Sequence, residues 1–300
     1  MKTNYDITSN KSVSGIYRPI GSFVVSAFVV VVGISMSVYY MLDTKAYNKE
    51  VQVYEVLNSL LFYVVLGLVS ILLVRLFRIN RTSLHGRFVE FKNHLSLSFW
   101  VIPLLFISMG TWLLSLATVA VVHEPTFHYL LQIADEISSS FRELPFWLKS
   151  IDTLVILALG PLVEEYIFRG LLLSAWAVKY GAVRSLLFTS ILFALFHLDP
   201  LGAFIFGIVM GLIYLKTGSL MLVAFLHFLN NAFAMGLDLF APGVLYFNNL
   251  NQLVNILWFI GPLSAISFIM LWRKFVLWWP EKDQLPPVVA RMSPLKSSSA

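Results

Sequence analysis

Apolar runs about as long as a membrane is thick recur along this chain, and they restrict the folds open to it. A membrane-spanning helix needs about 20 such residues, because it rises 1.5 Å per residue and the hydrocarbon core is roughly 30 Å thick. Hydrophobic residues make up 58% of the chain, charged residues make up 12%, and the mean hydropathy is +0.80. Since a water-soluble fold cannot bury that much apolar surface, the sequence predicts an all-α, polytopic membrane protein.

Eight runs qualify as predicted membrane helices, and two of them are short. An even number of spans places both ends of the chain on the same side of the membrane. In chain order the runs are Ile20–Leu42, Val56–Val74, Leu97–Val122, Ile151–Val178, Ser185–Leu198, Leu201–Leu215, Leu220–Phe240 and Leu253–Trp272.

These spans divide the chain into four predicted regions. Residues 1–149 hold three spans and an amphipathic segment, Thr126–Phe141, which is expected to lie along the outer interface. Residues 150–240 form a core of four spans, and residues 241–279 hold the last span. Residues 280–300 are rich in Pro, Ser and Lys and lack apolar periodicity, so they are expected to be a disordered cytoplasmic tail.

Lys and Arg concentrate in alternate connecting segments. If the N-terminus is inside, sixteen of them fall in inner segments, and only Lys45, Lys49, Arg142 and Lys149 fall in outer ones. Because positive charge favours the cytoplasmic side, this bias predicts that both termini are cytoplasmic. The net charge of +5 is then a topology signal, and no nucleic-acid partner is expected.

Glu, Arg and His side chains inside the apolar runs are confined to spans four to seven, where two adjacent asparagines also lie. At membrane depth such groups are rare and usually mark function. Counted from the inner helix ends, they lie about 12 to 22 Å deep, which is compatible with one shared polar cavity. They are Glu164, Glu165 and Arg169 in the fourth span, His197 at the end of the fifth, and His227, Asn230 and Asn231 in the seventh.

Helical spacing assigns these side chains to faces. Glu165 and Arg169 are four residues apart, so they are predicted to pair, and pairing offsets the cost of two charges in a low dielectric. Glu164 points away from that face and is predicted to be the carboxylate left free to carry a proton. His227 and Asn231 share a face of the seventh span and offer an imidazole beside an amide.

Three short motifs together resemble a known family. Each motif is weak alone, but all three occur in order, each in its own apolar span, within residues 150–240. The motifs are Glu164-Glu165-x-x-x-Arg169, Phe193-x-x-x-His197 and His227-x-x-x-Asn231. Together they resemble the CPBP family of intramembrane endopeptidases, which includes the type II CAAX prenyl endopeptidases and bacterial proteins linked to bacteriocin processing and self-immunity.

The resemblance implies hydrolysis of a peptide bond in a membrane-associated peptide or protein. By this resemblance Glu164 and His197 would activate a water molecule. His227 and Asn231 would stabilise the oxyanion, and Glu165 with Arg169 would support the site. The implied location is a cell membrane, with a bacterial one expected, and the implied partners are the substrate and the lipid bilayer. The sequence gives no oligomeric state.

The sequence makes no cofactor certain, and Zn²⁺ is the candidate metal. Glu164, His197 and His227 could ligate one Zn²⁺ and leave a position for water. The contiguous zinc-protease motif, in which two His flank a Glu on one helix, is missing, and the chain has no Cys. A metal-free glutamate mechanism would use the same three residues, so both mechanisms stay open.

Three other functions compete with the protease hypothesis. The strongest is a non-catalytic membrane scaffold, such as a bacteriocin self-immunity or regulatory protein. A haem carrier would use His197 and His227 but leaves the Glu pair unexplained. A proton-coupled transporter explains buried carboxylates, although no internal repeat is evident. Asn230 is predicted to have only a packing role.

Overall fold

The computed structural model describes residues 11–41, 49–79, 81–240, 249–281 and 284–292. Within these residues nearly the whole backbone is helical and no strand occurs, so the predicted all-α class is confirmed. A 3₁₀ segment, Leu95–Trp100, leads into α5. The helices are α1 (Lys11–Met41), α2 (Lys49–Leu76), α3 (Arg81–His85), α4 (Phe88–Asn93), α5 (Val101–Val122), α6 (Glu124–Glu143), α7 (Phe146–Tyr180), α8 (Ala182–Ala194), α9 (Pro200–Thr217), α10 (Leu220–Phe240), α11 (Leu250–Trp278) and α12 (Pro287–Met292).

Six helices in the described part of the chain are long and apolar enough to cross a membrane. They are α2, α5 with its 3₁₀ segment, α7, α9, α10 and α11. Two further apolar stretches, Pro19–Gly33 within α1 and all of α8, are shorter. The 13 residues of α8 extend about 20 Å, which is less than the hydrocarbon thickness. The protein is therefore an integral, multi-pass membrane protein, while the count of eight spans and the cytoplasmic placement of both ends stay predictions.

Helix α7 is one continuous helix that begins five residues before the predicted start at Ile151. Two π-helical stretches interrupt its regular winding, Val155–Leu159 and Tyr166–Leu173. The regular turn between them, Gly160–Glu165, carries both glutamates. Because π-helical turns are rare and occur frequently at functional sites, their position on both sides of the Glu pair draws attention to this level of α7.

Helix α9 lies at the centre of the bundle. Of its residues, 72% are buried, whereas only 17% of the residues in the apolar stretch of α11 are buried. Helix α8 lies along α9 at close range, since a Cβ atom at Gly207 would come within 3.1 Å of the Cα atom of Ser190. Small residues at such a contact let two helix backbones approach. Helices α1 and α2 pack against α7 on one side, and α5, which carries α11, packs against α9 and α10 on the other.

Helices α3 and α4 lie beneath α7 and α10. Leu84 is fully buried, and its side chain would lie 3.2 Å from a Cβ atom placed at Gly170 of α7. Phe91 meets Phe225 of α10 edge to face, with ring centroids 5.7 Å apart. This connection between α2 and α5 is therefore packed into the bundle at the end of α10 where that helix begins.

The prediction of a disordered tail after Trp279 is wrong for residues 284–292, which include the helix α12. Val288 and Val289 of α12 are buried, and the Arg291 guanidinium lies 2.6 Å from the Glu90 carboxylate. Arg291 also donates hydrogen bonds to the carbonyl oxygens of Ser83 and Gly218, each at 2.9 Å. Composition missed this helix because six residues are too few to be stable alone, and tertiary contacts supply the stability. Residues 282–283 and 293–300 of the predicted tail lie outside the described residues, as does the segment 241–248.

Arg291→Ala should lower the stability of the folded protein. The substitution removes an ion pair and two hydrogen bonds to backbone carbonyls, so a loss of about 1–3 kcal/mol is expected. The apparent melting temperature in detergent would measure it. Arg273→Ala, at an exposed position on α11, is the matched control and should leave that temperature nearly unchanged. Equal melting temperatures for the two variants would contradict an anchoring role for α12.

Candidate active site

Glu165 is the most deeply buried ionisable side chain of the site, with no exposed surface. The Arg169 guanidinium lies 2.9 Å from its Oε1 atom, which confirms the pairing predicted from the four-residue spacing. Arg169 also donates to the carbonyl oxygen of Gly207 at 3.3 Å and lies over the ring of Phe193, 4.6 Å from its centroid. Since an unpaired charge is expensive at this depth, the pair is what permits a carboxylate here.

His227 of α10 lies between the two glutamates. Its Nδ1 atom is 2.8 Å from Glu165 Oε1, and its Nε2 atom is 3.8 Å from Glu164 Oε2. The ring is buried and meets Phe206 at a steep angle, with centroids 4.9 Å apart. These contacts fix the orientation of the imidazole and place one nitrogen against each carboxylate.

The contacts of Glu165 also assign the proton on His227. A carboxylate paired with Arg169 is ionised and can only accept hydrogen bonds, so Nδ1 of His227 must be the donor to Glu165. Nε2 is then the atom of His227 that faces Glu164. At 3.8 Å the two atoms are too far apart for a direct hydrogen bond, but a water molecule could bind both.

Tyr63 of α2 reaches Glu164 from outside the region in which the sequence placed the site. Its hydroxyl donates to Glu164 Oε1 at 2.5 Å. The ring lies close to Gly160, where a Cβ atom would be 3.4 Å from Cζ of Tyr63. Glu164 is therefore not the free carboxylate that helical spacing predicted. A tyrosine in the middle of an apolar span was the available signal, but one hydroxyl does not show which helix the ring faces.

His197 does not close a helix as predicted. Helix α8 ends at Ala194, and His197 lies in the bend before α9. The reason is the Asp199-Pro200 pair: Pro200 disfavours helical backbone at Asp199, and the Asp199 side chain accepts from the Gly202 amide at 3.1 Å to begin α9. Burial raises the pKa of Asp199 above its usual value, and the hydrogen bonds from Gly202 and Thr111 and the nearby His197 act in the opposite direction.

The ring of His197 is held by Phe193. Its Nδ1 atom lies 2.8 Å from the Phe193 carbonyl oxygen, and the two rings lie against each other with centroids 4.2 Å apart. A carbonyl oxygen only accepts, so Nδ1 is the donor and Nε2 of the neutral ring is left as an acceptor. Among the described residues, neither a hydrogen bond nor an ion pair joins His197 to Glu164.

Asn231 faces α7, as His227 does, one turn further along α10. Its Nδ2 atom donates to the Ile156 carbonyl oxygen at 3.0 Å. In the π-helical stretch the backbone N–H of Gly160 bonds to Val155, five residues before it. The next donor in that register would belong to residue 161, which is Pro161 and has no N–H. Asn231 therefore supplies the hydrogen bond that Pro161 cannot give to Ile156.

The three candidate metal ligands do not come together as a ligand set. In the part of the chain that the structure describes, no group of three or more His, Asp or Glu side chains is placed to hold a metal ion. Glu164 and His227 adjoin each other, whereas no hydrogen bond or ion pair joins His197 to Glu164 among the described residues. We therefore derive no step through a metal from this arrangement.

Comparison with protein families identifies the segment that carries these side chains. Residues 145–233 match the family described as "Type II CAAX prenyl endopeptidase Rce1-like". This match supports membership of the CPBP family, which the three sequence motifs resemble. The match spans less than a third of the chain and includes all three motifs, whereas Tyr63 and α5 lie outside it. No curated protein and no solved structure was found to match the chain. Because the CPBP-family match is to proteases, it supports a membrane peptidase in general terms.

The Glu165 and Arg169 pair should show strong coupling in a double-mutant cycle. Each single change to Ala strands a buried charge and should cost about 3–5 kcal/mol, whereas the double change should cost clearly less than the sum of the two. Thermal or denaturant unfolding in detergent would measure this. If the two losses simply add, the pair is not the stabilising unit described above.

Tyr63→Phe should weaken the fold more when Glu164 is present than when residue 164 is neutral. The hydroxyl donates to a carboxylate, and such a hydrogen bond contributes about 1.5–3 kcal/mol. The stability loss should therefore be smaller in a Glu164→Gln background, where the acceptor is neutral. Tyr54→Phe, at an exposed tyrosine on the same helix, is the control. A loss of equal size in both backgrounds would show that Tyr63 acts through packing alone.

Proposed function

We propose that this protein is an intramembrane endopeptidase that hydrolyses a peptide bond in a membrane-associated peptide or protein. One observation supports this most directly: His227 is held by Glu165 so that its Nε2 faces the Glu164 carboxylate at 3.8 Å, within a segment of a protease family. At that distance one water molecule can contact both the Glu164 carboxylate and the His227 imidazole, and a carboxylate placed beside a water molecule suits water activation.

Glu164 is the general base of the proposed reaction. It takes a proton from the water molecule as the water oxygen bonds to the substrate carbonyl carbon, and it returns that proton to the amine nitrogen as the C–N bond breaks. Tyr63 holds one carboxylate oxygen, so the other faces the water. His197 supports the same step, because its Nε2 is left as an acceptor that can orient the water.

His227 and Asn231 are the proposed donors to the oxyanion. The buried cluster contains two carboxylates and one guanidinium, so a protonated His227 would balance its charge. In that state Nδ1 donates to Glu165 and Nε2–H is available to the developing negative oxygen. One amide hydrogen of Asn231 bonds to Ile156, and the other is available to the substrate.

Glu165 and Arg169 act on the substrate only through other residues. Glu165 aligns the ring of His227, and Arg169 neutralises Glu165 and joins α7 to α9 through the Gly207 carbonyl. The proposed location is a bacterial cell membrane, and the proposed substrate is a leader, antimicrobial or signalling peptide or a membrane-protein fragment. A zinc-assisted variant would use Glu164, His197 and His227 after these side chains move together.

The test of this proposal compares cells that carry the wild-type chain with cells that carry Glu164→Gln. Mass spectrometry of peptide termini should find at least one membrane-associated peptide that is cleaved in the first and accumulates uncleaved in the second. Glu124→Gln changes an exposed glutamate in the same way and should leave the cleaved peptide present. Identical terminal peptides in all three strains would favour the non-catalytic scaffold or immunity function instead.

Purified variants should separate the proposed roles. Glu164→Gln, His197→Ala and His227→Ala should each lower kcat on the identified peptide by at least about a hundredfold, since each removes a group that acts on the water or the oxyanion. His128→Ala, at an exposed histidine, should retain wild-type turnover. Retained turnover in Glu164→Gln would rule out Glu164 as the base.

A further inference from the structure

A cavity of about 190 Å³ lies beside the candidate active site, between α5 and α10. Its wall is mostly apolar and includes Met109 and Trp112 of α5 and Leu237 of α10. Three polar side chains also line it: Ser108, Asp199 and Asn230. An apolar pocket with a few converging polar groups is the usual form of a ligand site.

Two polar side chains of this cavity have unused capacity to accept hydrogen bonds. The Oδ1 atom of Asn230 is buried and has no hydrogen-bond partner among the described residues. Asp199 Oδ1 accepts from the Gly202 amide at 3.1 Å, and Oδ2 lies 3.2 Å from the Thr111 hydroxyl, whose single hydrogen also faces two backbone carbonyl oxygens of α5. A carboxylate can accept about four, so Asp199 can still accept more. A ligand that donates hydrogen bonds and carries positive charge would therefore complement this cavity.

The carboxylate of Asp199 is fixed in position. Its bond to Gly202 ties it to the first turn of α9, and the Thr111 hydroxyl of α5 lies beside its other oxygen. Residue 202 has to be glycine for this arrangement, because a Cβ atom there would overlap the Asp199 carboxylate and come within 2.8 Å of Thr111 Oγ1. A preorganised acceptor loses little freedom when a ligand binds.

The cavity adjoins the reacting groups from two directions. Asp199 is two residues after His197, close enough for the two side chains to interact electrostatically. Asn230 is one turn after His227 on α10 and immediately precedes Asn231. A peptide whose scissile bond lies near these residues would therefore have a neighbouring side chain within reach of the cavity.

We infer that this cavity is the specificity pocket for a basic side chain, Lys or Arg, next to the scissile bond of the substrate. Asp199 and Asn230 Oδ1 accept hydrogen bonds from the ammonium or guanidinium group. The apolar wall, which includes Trp112, covers the methylene stem. The inference rests on the proposed peptidase function and adds the substrate class.

The pocket combines the family segment with a helix outside it. Asp199 and Asn230 lie within residues 145–233, whereas Ser108, Met109 and Trp112 belong to α5. The selectivity of this chain is then set in part by residues that the family match does not include. Asn230, for which the sequence predicts only packing, becomes a substrate contact.

The test uses the full-length protein in lipid nanodiscs and a library of peptides in which one position at a time is randomised. Cleavage products identified by mass spectrometry should show a preference for Lys and Arg at one position flanking the cleaved bond. Matched peptides with Lys or norleucine at that position isolate the ammonium group, and the Lys peptide should be cleaved at least about tenfold faster in kcat/KM.

Three variants test the pocket residues. Asp199→Asn keeps the ability to begin α9, because Asn is also a good N-cap, but it removes the charge, so the Lys preference should fall about tenfold. Asn230→Asp adds a second carboxylate and should strengthen the preference, whereas Asn230→Leu should weaken it. Glu124→Gln is the control and should keep the wild-type ratio.

The outcomes separate this inference from the proposed function. Failure to cleave any library peptide would count against the peptidase itself. Equal cleavage rates for the Lys and norleucine peptides would contradict the basic-side-chain pocket but not the peptidase function. An unchanged Lys preference in Asp199→Asn and Asn230→Asp would have the same meaning. Loss of the preference when peptide N-termini are acetylated would show that an α-amino group, not a basic side chain, is bound.

Discussion

The buried carboxylate of Glu165 is the group around which the core is arranged. At this depth an ionised side chain is stable only with partners, and Glu165 has two, Arg169 on its own helix and His227 on α10. Arg169 also donates a hydrogen bond to the Gly207 carbonyl of α9. The contact between Glu165 and His227 fixes the orientation of the imidazole ring. One buried group thus sets the relative positions of α7, α9 and α10 and the direction of the nitrogen that faces Glu164.

The surroundings of this core come from parts of the chain outside the family segment. Tyr63 of α2 completes the environment of Glu164 on one side, and α5 forms most of the cavity wall on the other. Reactive groups and their nearest supports therefore lie on α7, α8, α9 and α10, while neighbouring helices restrict the orientation of Glu164 and shape the adjoining pocket. This division lets helices outside the family segment alter selectivity while the reacting residues stay the same.

Irregular backbone contributes to the site as much as charge does. The π-helical stretches on both sides of Gly160–Glu165 and the missing N–H of Pro161 leave the Ile156 carbonyl to Asn231. The early end of α8 places His197 in a bend, where Phe193 holds its ring. The Asn231 bond joins α10 to α7, and the Phe193 bond fixes the His197 ring just beyond the end of α8.

The sequence by itself determined the helical class, the membrane location, the family motifs and the Glu165–Arg169 pair. These follow from apolar run length and from four-residue spacing, which are local properties of a helix. Only the tertiary structure decided that His227 faces both glutamates, that Tyr63 binds Glu164, that Asn230 lines a cavity and that residues 284–292 are ordered. Each of these depends on which faces of distant helices meet, and helix rotation is set by packing among all neighbours, which spacing within one segment does not encode.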